Sequence, residues 1–200
     1  GRGLSRRPGV AALHPGANDN ASGLAVLLGL ARALGRTPDR LGRTLLFAAW
    51  GAEELGALGS RWWLAHPTLP LERVAILVNL DMVGCSRGRL LVAGSASARG
   101  LGKELPRLAG SLAVVPIAAS FGGSDHQPFL EKGIPALHLF TGADPAYHTP
   151  ADTPDRIDTA GLRRVALFAG RLAIHLARRP APHPFDPAGL SGMGFGPGVL

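Results

Sequence analysis

One cysteine, Cys85, stands in a chain of 200 residues. A lone cysteine excludes an internal disulfide framework and a cysteine-based zinc cluster. It leaves the compartment open, because cysteine-poor chains occur on both sides of a membrane. No apolar run reaches the ~18 residues that a membrane helix needs. The first eight residues, GRGLSRRP, lack the apolar core of a signal peptide and an initiator Met, so the chain is expected to be cut from something longer. Acid is scarce: 14 Asp and Glu face 21 Lys and Arg, a net charge of +7. Lysine is scarcer still, at Lys103 and Lys132 only. The arginines are scattered, with no basic run longer than two and no interleaved aromatics, which argues against nucleic-acid binding as the main role.

What is present is a globular composition, 46% hydrophobic and 18% charged. A chain of this length fits one domain and can bury roughly 70% of its unfolded surface. Residues 1–20 read as irregular. Residues 22–35 read as a largely buried helix, with Ser22 as N-cap and Gly35 as stop. Buried strands are expected at 43–50 (RTLLFAAW), 74–80 (VAILVNL), 89–93, 112–117 and 135–140. Helices are expected at 53–65, 97–109, 125–132 and, with a long amphipathic pattern, 156–179. Residues 180–200, rich in Pro and Gly, read as a flexible tail behind a domain spanning 1–179. Strands alternating with helices imply an α/β domain whose mostly parallel sheet is covered on both faces. In such sheets chemistry collects at the carboxyl ends of the strands.

Several polar residues fall at such ends. Asp19 precedes the first helix, Glu53 and Glu54 follow 43–50, Asp81 ends 74–80, and His148 lies in a Pro/Asp-rich loop. Carboxylates beside an apolar core repel one another and lose solvation unless a cation neutralises them. Three carboxylates and a histidine suit zinc, and a bridging carboxylate suits two ions. Of two adjacent acids at a turn, one can bind metal while the other remains a general base. By itself, the Glu53–Glu54 pair also fits a solvated first helical turn, where acids favour the dipole.

Five stretches carry a family resemblance: Gly16-Ala17-Asn18-Asp19-Asn20-Ala21-Ser22-Gly23, Trp50-Gly51-Ala52-Glu53-Glu54-Leu55-Gly56, Asn79-Leu80-Asp81-Met82, Ser124-Asp125-His126 and Tyr147-His148-Thr149-Pro150. In this order they resemble the zinc aminopeptidases of metallopeptidase family twenty-eight, over about residues 14–178. The resemblance implies a three-layer α/β/α sandwich on a mostly parallel mixed sheet, and two zinc ions. It implies Asp19 as the bridging ligand, Asp81 on the first ion, Glu54 and His148 on the second, and Glu53 as the general base. Tyr147 is a candidate oxyanion donor, or an aromatic that fixes its loop. Asp125 and His126 match a motif near the substrate pocket, and Asp125 also fits a helix cap. The implied partner is a peptide with a free N-terminus, and the family's frequent export implies a secreted or periplasmic location.

One family motif is missing. A His-x-Asp upstream of the bridging Asp should supply a further ligand, and only 18 residues precede Asp19. The expectation is that the first strands of the catalytic domain are absent, leaving sheet surface uncovered and the first zinc weakly held. His14, five residues before Asp19, is a poor substitute. A second reading is a glutaminyl cyclase-like enzyme with one zinc, because Asp125-His126-Gln127-Pro128-Phe129 fits that pattern. His138 and His175 read as core or surface residues, His66 and His183 as loop residues, and Trp62-Trp63 as packing a helix on the sheet.

Overall fold

The computed structural model describes residues 5–6, 12–36 and 41–190. Strands β1 (Leu77–Leu80), β2 (Arg89–Ala93), β3 (Ala113–Pro116) and β4 (Ala136–Phe140) form one sheet in the order β1-β4-β2-β3. β1 runs parallel to β4 and β2 to β3, while β2 meets β4 antiparallel. The sheet is therefore mixed and mostly parallel, as expected. Side chains alternate across β4 and sort the core in two. Leu137 and Leu139 face a cluster with Leu90 and Val92 of β2. Ala136 faces a second cluster, with Phe129, Leu130 and Ile134.

Helices cover both faces. On the first lie α1 (Ser22–Leu34), α3 (Leu105–Leu108) and α5 (Thr159–Arg178). Val26 of α1 and Val165, Phe168 and Leu172 of α5 pack there. Burying a side chain such as Phe168 contributes roughly 1.5–3 kcal/mol. On the second face lie α2 (Leu58–Ala65) and α4 (Gln127–Glu131), joined through Trp63 stacked on Phe129, with ring centroids 5.9 Å apart. Asp158 starts α5 by accepting a hydrogen bond from the Gly161 amide, 2.8 Å.

Four expectations need correction. Residues 43–50 form no strand, and Leu46 is exposed. Their apolar run resembles a buried strand, but burial in a sheet also needs a neighbour to satisfy the backbone. The helix expected over 53–65 is broken, because Gly56 and Ala57 take left-handed backbone angles between a short 3-10 turn (Glu53–Leu55) and α2. α1 is buried on one side only, with Leu24 and Leu28 exposed. Finally, the tail does not begin at residue 180. Phe185 bridges Ala98, Arg99 N–H donates to the Pro184 carbonyl, and His183 is buried. Apolar and backbone contacts thus dock 183–186 on the domain despite the prolines. Residues 191–200 of the expected tail lie outside the described residues. Among the described residues no helix is long and apolar enough to cross a membrane.

Candidate metal centre

The Asp19 loop is tied to the carboxyl end of β1 by the polar residues around it. Beyond β1, three successive amides need acceptors. Met82 N–H donates to Asn20 Oδ1 (3.3 Å), Val83 N–H to Ser22 Oγ (3.1 Å) and Gly84 N–H to Asn18 Oδ1 (2.8 Å). Asn20 Nδ2 returns a bond to the Leu80 carbonyl, 2.8 Å. A Cβ at Gly23 would collide with that carbonyl and with the Asn20 side chain, so glycine permits the approach. From the other side Asp152, 2% exposed, accepts from Asn18 N–H (2.8 Å) and Asp19 N–H (3.0 Å) with its two oxygens. The asparagine and serine bonds hold the backbone carrying Asp19 against the backbone carrying Asp81, and the Asp152 bonds hold it to the loop before α5.

Strained backbone gathers in the same place. Ala52, Ala57, Met82 and His148 are four of the five non-glycine residues with positive φ among the described residues. Ala52 and Ala57 bracket Glu53 and Glu54, Met82 follows Asp81, and His148 is itself in the cluster. Such conformations persist where surrounding structure over-determines them, typically at functional sites.

The result brings together three of the expected ligands. His148 Nε2 lies 2.8 Å from Glu54 Oε1 and 3.2 Å from Asp19 Oδ2. One ligand atom from each of the three residues lies within 4.8 Å of the others. Asp81 stands outside that triad but in its field. Its Oδ2 accepts from Ser124 Oγ (2.6 Å), which in turn accepts from Asn79 Nδ2 (2.7 Å). Its Oδ1 is buried without a partner. An orphaned carboxylate oxygen in an acidic cluster is the state that a cation relieves.

Acid crowding shows in the protonation equilibria. Burial, then the charges of Asp81, Glu54 and Asp152, push Asp19 up to about 7. Burial, then Asp81, Glu54, Asp125 and Asp19, push Glu53 up to about 8. Burial raises Asp81 as well, against the opposing Ser124 hydrogen bond. Burial also raises Asp125, although it accepts a 2.5 Å bond from Ser60 Oγ. Asp19, Glu54, His148 and the free oxygen of Asp81 fit a divalent cation with oxygen and imidazole donors.

Not every expected residue faces the cluster. His126 is wholly buried in the second core, with Nε2 bonded to Ser120 Oγ (2.7 Å) and the Phe121 carbonyl (2.9 Å) and its ring stacked on His138. Burial pushes its pKa down to about 4, so it is neutral packing and not part of an open pocket. His14 bonds Ser5 Oγ and the Ala12 carbonyl instead of joining the triad. Tyr147 stacks on His148, centroids 3.7 Å apart. Asp152, Asn18 and Asn20 are positioning residues that the motif pattern does not single out. The signal for the asparagines was local, polar residues on both sides of Asp19. Asp152 is more than 130 positions away and had none.

The profile described as Peptidase family M28 matches residues 6–173. Aminopeptidase YwaD of Bacillus subtilis is 36% identical over 162 residues, which cover 75% of this chain and 35% of YwaD. The probable lipoprotein aminopeptidase LpqL of Mycobacterium tuberculosis is 32% identical, covering 74% of this chain and 37% of LpqL. The chain thus spans little more than a third of these curated relatives. Among solved structures, BSAP, a zinc aminopeptidase from Bacillus subtilis, superposes with a TM-score of 0.72 at 31% identity, over 88% of this chain and 47% of that one. Glutaminyl cyclase of Porphyromonas gingivalis gives 0.62 at 27% identity, over 79% and 65%. With more than four-fifths of its residues inside the matched profile, the chain belongs to peptidase family M28.

Proposed function

We propose that this chain carries the catalytic centre of a zinc aminopeptidase, which hydrolyses the N-terminal peptide bond of peptides. The observation that carries the proposal is the Asp19–Glu54–His148 triad beside the unpartnered Asp81 oxygen, with Glu53 adjacent and not in the triad. Asp19, Glu54 and His148 would hold one zinc ion, and Asp19 with Asp81 a second, weaker one, because two protein ligands bind less tightly than three. Zinc bound there supplies a Lewis acid for the scissile carbonyl and favours deprotonation of water.

The chain's own residues do the rest. The Glu53 carboxylate takes a proton from the attacking water and delivers it to the leaving amine nitrogen. Tyr147, pushed up to about 12 first by burial and then by the surrounding carboxylates, keeps its hydroxyl proton and can donate it to the developing oxyanion. Glu53 and Asp125, acids beside the metal ligands, would favour a protonated α-amino group, which is the mark of a peptide N-terminus. The half-exposed Phe121 supports a preference for apolar first residues. The similarity to LpqL, a probable lipoprotein aminopeptidase, supports an exported parent protein.

Glu53→Gln tests the reading. It is expected to abolish hydrolysis of leucine p-nitroanilide while zinc content is kept. Unchanged turnover would remove Glu53 from the mechanism. The cyclase-like neighbours supply the second reading. Release of ammonia from an N-terminal glutaminyl peptide, without peptide-bond cleavage, would establish it instead.

A further inference from the structure

A second group of metal-type ligands lies at the far end of α5. The N-terminal end of that helix touches the loop after β1, where Asp158 N–H donates to the Gly84 carbonyl. His175 comes 17 residues after Asp158, about 25 Å along the helix. There His175 meets Glu104, which precedes α3, and His183, in the segment after α5. One ligand atom from each lies within 4.8 Å of the others. Glu104 Oε2 is 2.6 Å from His175 Nε2 and 3.8 Å from His183 Nε2.

The state of His183 makes this more than an ion-pair cluster. Its ring is 4% exposed. Nδ1 lies 2.9 Å from the Arg99 carbonyl oxygen, which can only accept, so Nδ1 carries the proton. Nε2 is the ring's remaining ligand atom, and it is buried with no hydrogen-bond partner. A histidine whose other ring N–H is fixed by a carbonyl has the orientation and tautomer of a metal ligand. The backbone sets that position independently, through Arg99 N–H to the Pro184 carbonyl and Asp186 N–H to the Ser97 carbonyl.

We propose that Glu104, His175 and His183 form a second, structural zinc site, which staples the segment after α5 to α3 and α5. Two imidazoles and a carboxylate are zinc ligands by type, with a fourth position left for water. Tetrahedral zinc with bonds of about 2.1 Å separates its ligand atoms by about 3.4 Å, and the observed 2.6 and 3.8 Å straddle that value. Arg179 Nη1 lies 3.2 Å from both Glu104 oxygens and opposes a cation. Its side chain is one-third exposed, so it can keep Oε1 while Oε2 turns to the metal.

The test is zinc per chain and zinc affinity, measured against a chromophoric chelator, in four forms of the full chain: unmodified, His148→Ala, His175→Gln and both together. His148→Ala weakens the triad at the Asp19 loop and leaves the second site. It is expected to retain one tightly held zinc, and zinc should raise its thermal midpoint. Adding His175→Gln is expected to weaken that zinc at least 100-fold and abolish the rise in midpoint. His175 is partly exposed, so this variant is expected to fold, and His183→Gln serves as the second probe. Circular dichroism of each form without metal separates misfolding from ligand loss. The proposal is overturned if His148→Ala holds no zinc, or if His175→Gln and His183→Gln hold zinc as well as their parent. Neither result bears on the peptidase reading, whose test is turnover by Glu53→Gln.

Discussion

The two clusters use the same donor types and differ in what surrounds them. At the Asp19–Glu54–His148 triad the neighbours are more acids, Glu53, Asp81 and Asp125, and the backbone is strained at four positions. At Glu104–His175–His183 the neighbour is a guanidinium, and two of the ligands sit at helix ends. The protonation equilibria separate accordingly. Burial, and then mutual repulsion, raise Asp19, Glu53 and Asp81. At Glu104 burial alone would raise the carboxyl, but the His175 hydrogen bond and the Arg179 charge outweigh it and hold Glu104 low. A surplus of negative charge with an adjacent free carboxylate suits proton transfer and turnover. A neutralised, helix-anchored set suits holding chain segments together.

The largest expected effect lies in the first cluster. Glu53→Gln should lower kcat by ~10²–10⁴-fold with zinc content unchanged, as general acid–base groups contribute that much. His175→Gln should leave kcat near the parent value. Equal loss of turnover in both variants would erase the functional contrast between the sites.

Next is the scaffold of the first cluster. Asp152→Ala leaves the buried Asn18 and Asp19 amides without their acceptor, which should destabilise the chain by about 2–4 kcal/mol and weaken its zinc. Urea unfolding and chelator competition would measure both effects. A change in stability with zinc affinity intact would limit Asp152 to a structural role.

The pH response should also differ between the clusters. In the metal-free chain the native pKa values of Asp19 and Glu53, about 7 and about 8, lie above their ordinary values of 3.8 and 4.5. Between those limits the native state holds protons that the unfolded state has released, so this contribution to stability falls as pH rises. With EDTA present, the loss of thermal midpoint from pH 5 to pH 8.5 should be smaller in Glu53→Gln than in the parent. Zinc should shrink the parent's loss. A steeper fall in the variant would contradict the assignment of crowding to Glu53.

The smallest effect belongs to Arg179→Ala. Loss of a partly exposed ion pair should cost no more than about 1 kcal/mol. The same change should tighten zinc at the second site, because the competing cation is gone. Titration of the His148→Ala, Arg179→Ala double variant against its single parent reads this directly.

The pattern of strands at 89–93 and 135–140 was legible because their apolar runs coincide with real ladder partners. The run at 43–50 looked the same and has no ladder, since an apolar run reports burial preference and not pairing. The acids at 19, 53, 54 and 81 and His148 were legible because motif order survives in sequence. Asp152 and the second cluster were not, because Glu104, His175 and His183 meet only after α3, α5 and the 183–186 segment have packed.

The sequence by itself therefore determined the chemistry on offer. Charge type, local turns and the order of motifs are one-dimensional properties, and they sufficed for the α/β class and for the acids of the first cluster. Tertiary structure alone decided which acids crowd together, which histidines turn inward, and where an unpartnered nitrogen faces a carboxylate. Those outcomes depend on burial and on distances of a few ångströms between residues far apart in the chain, and no local pattern encodes them.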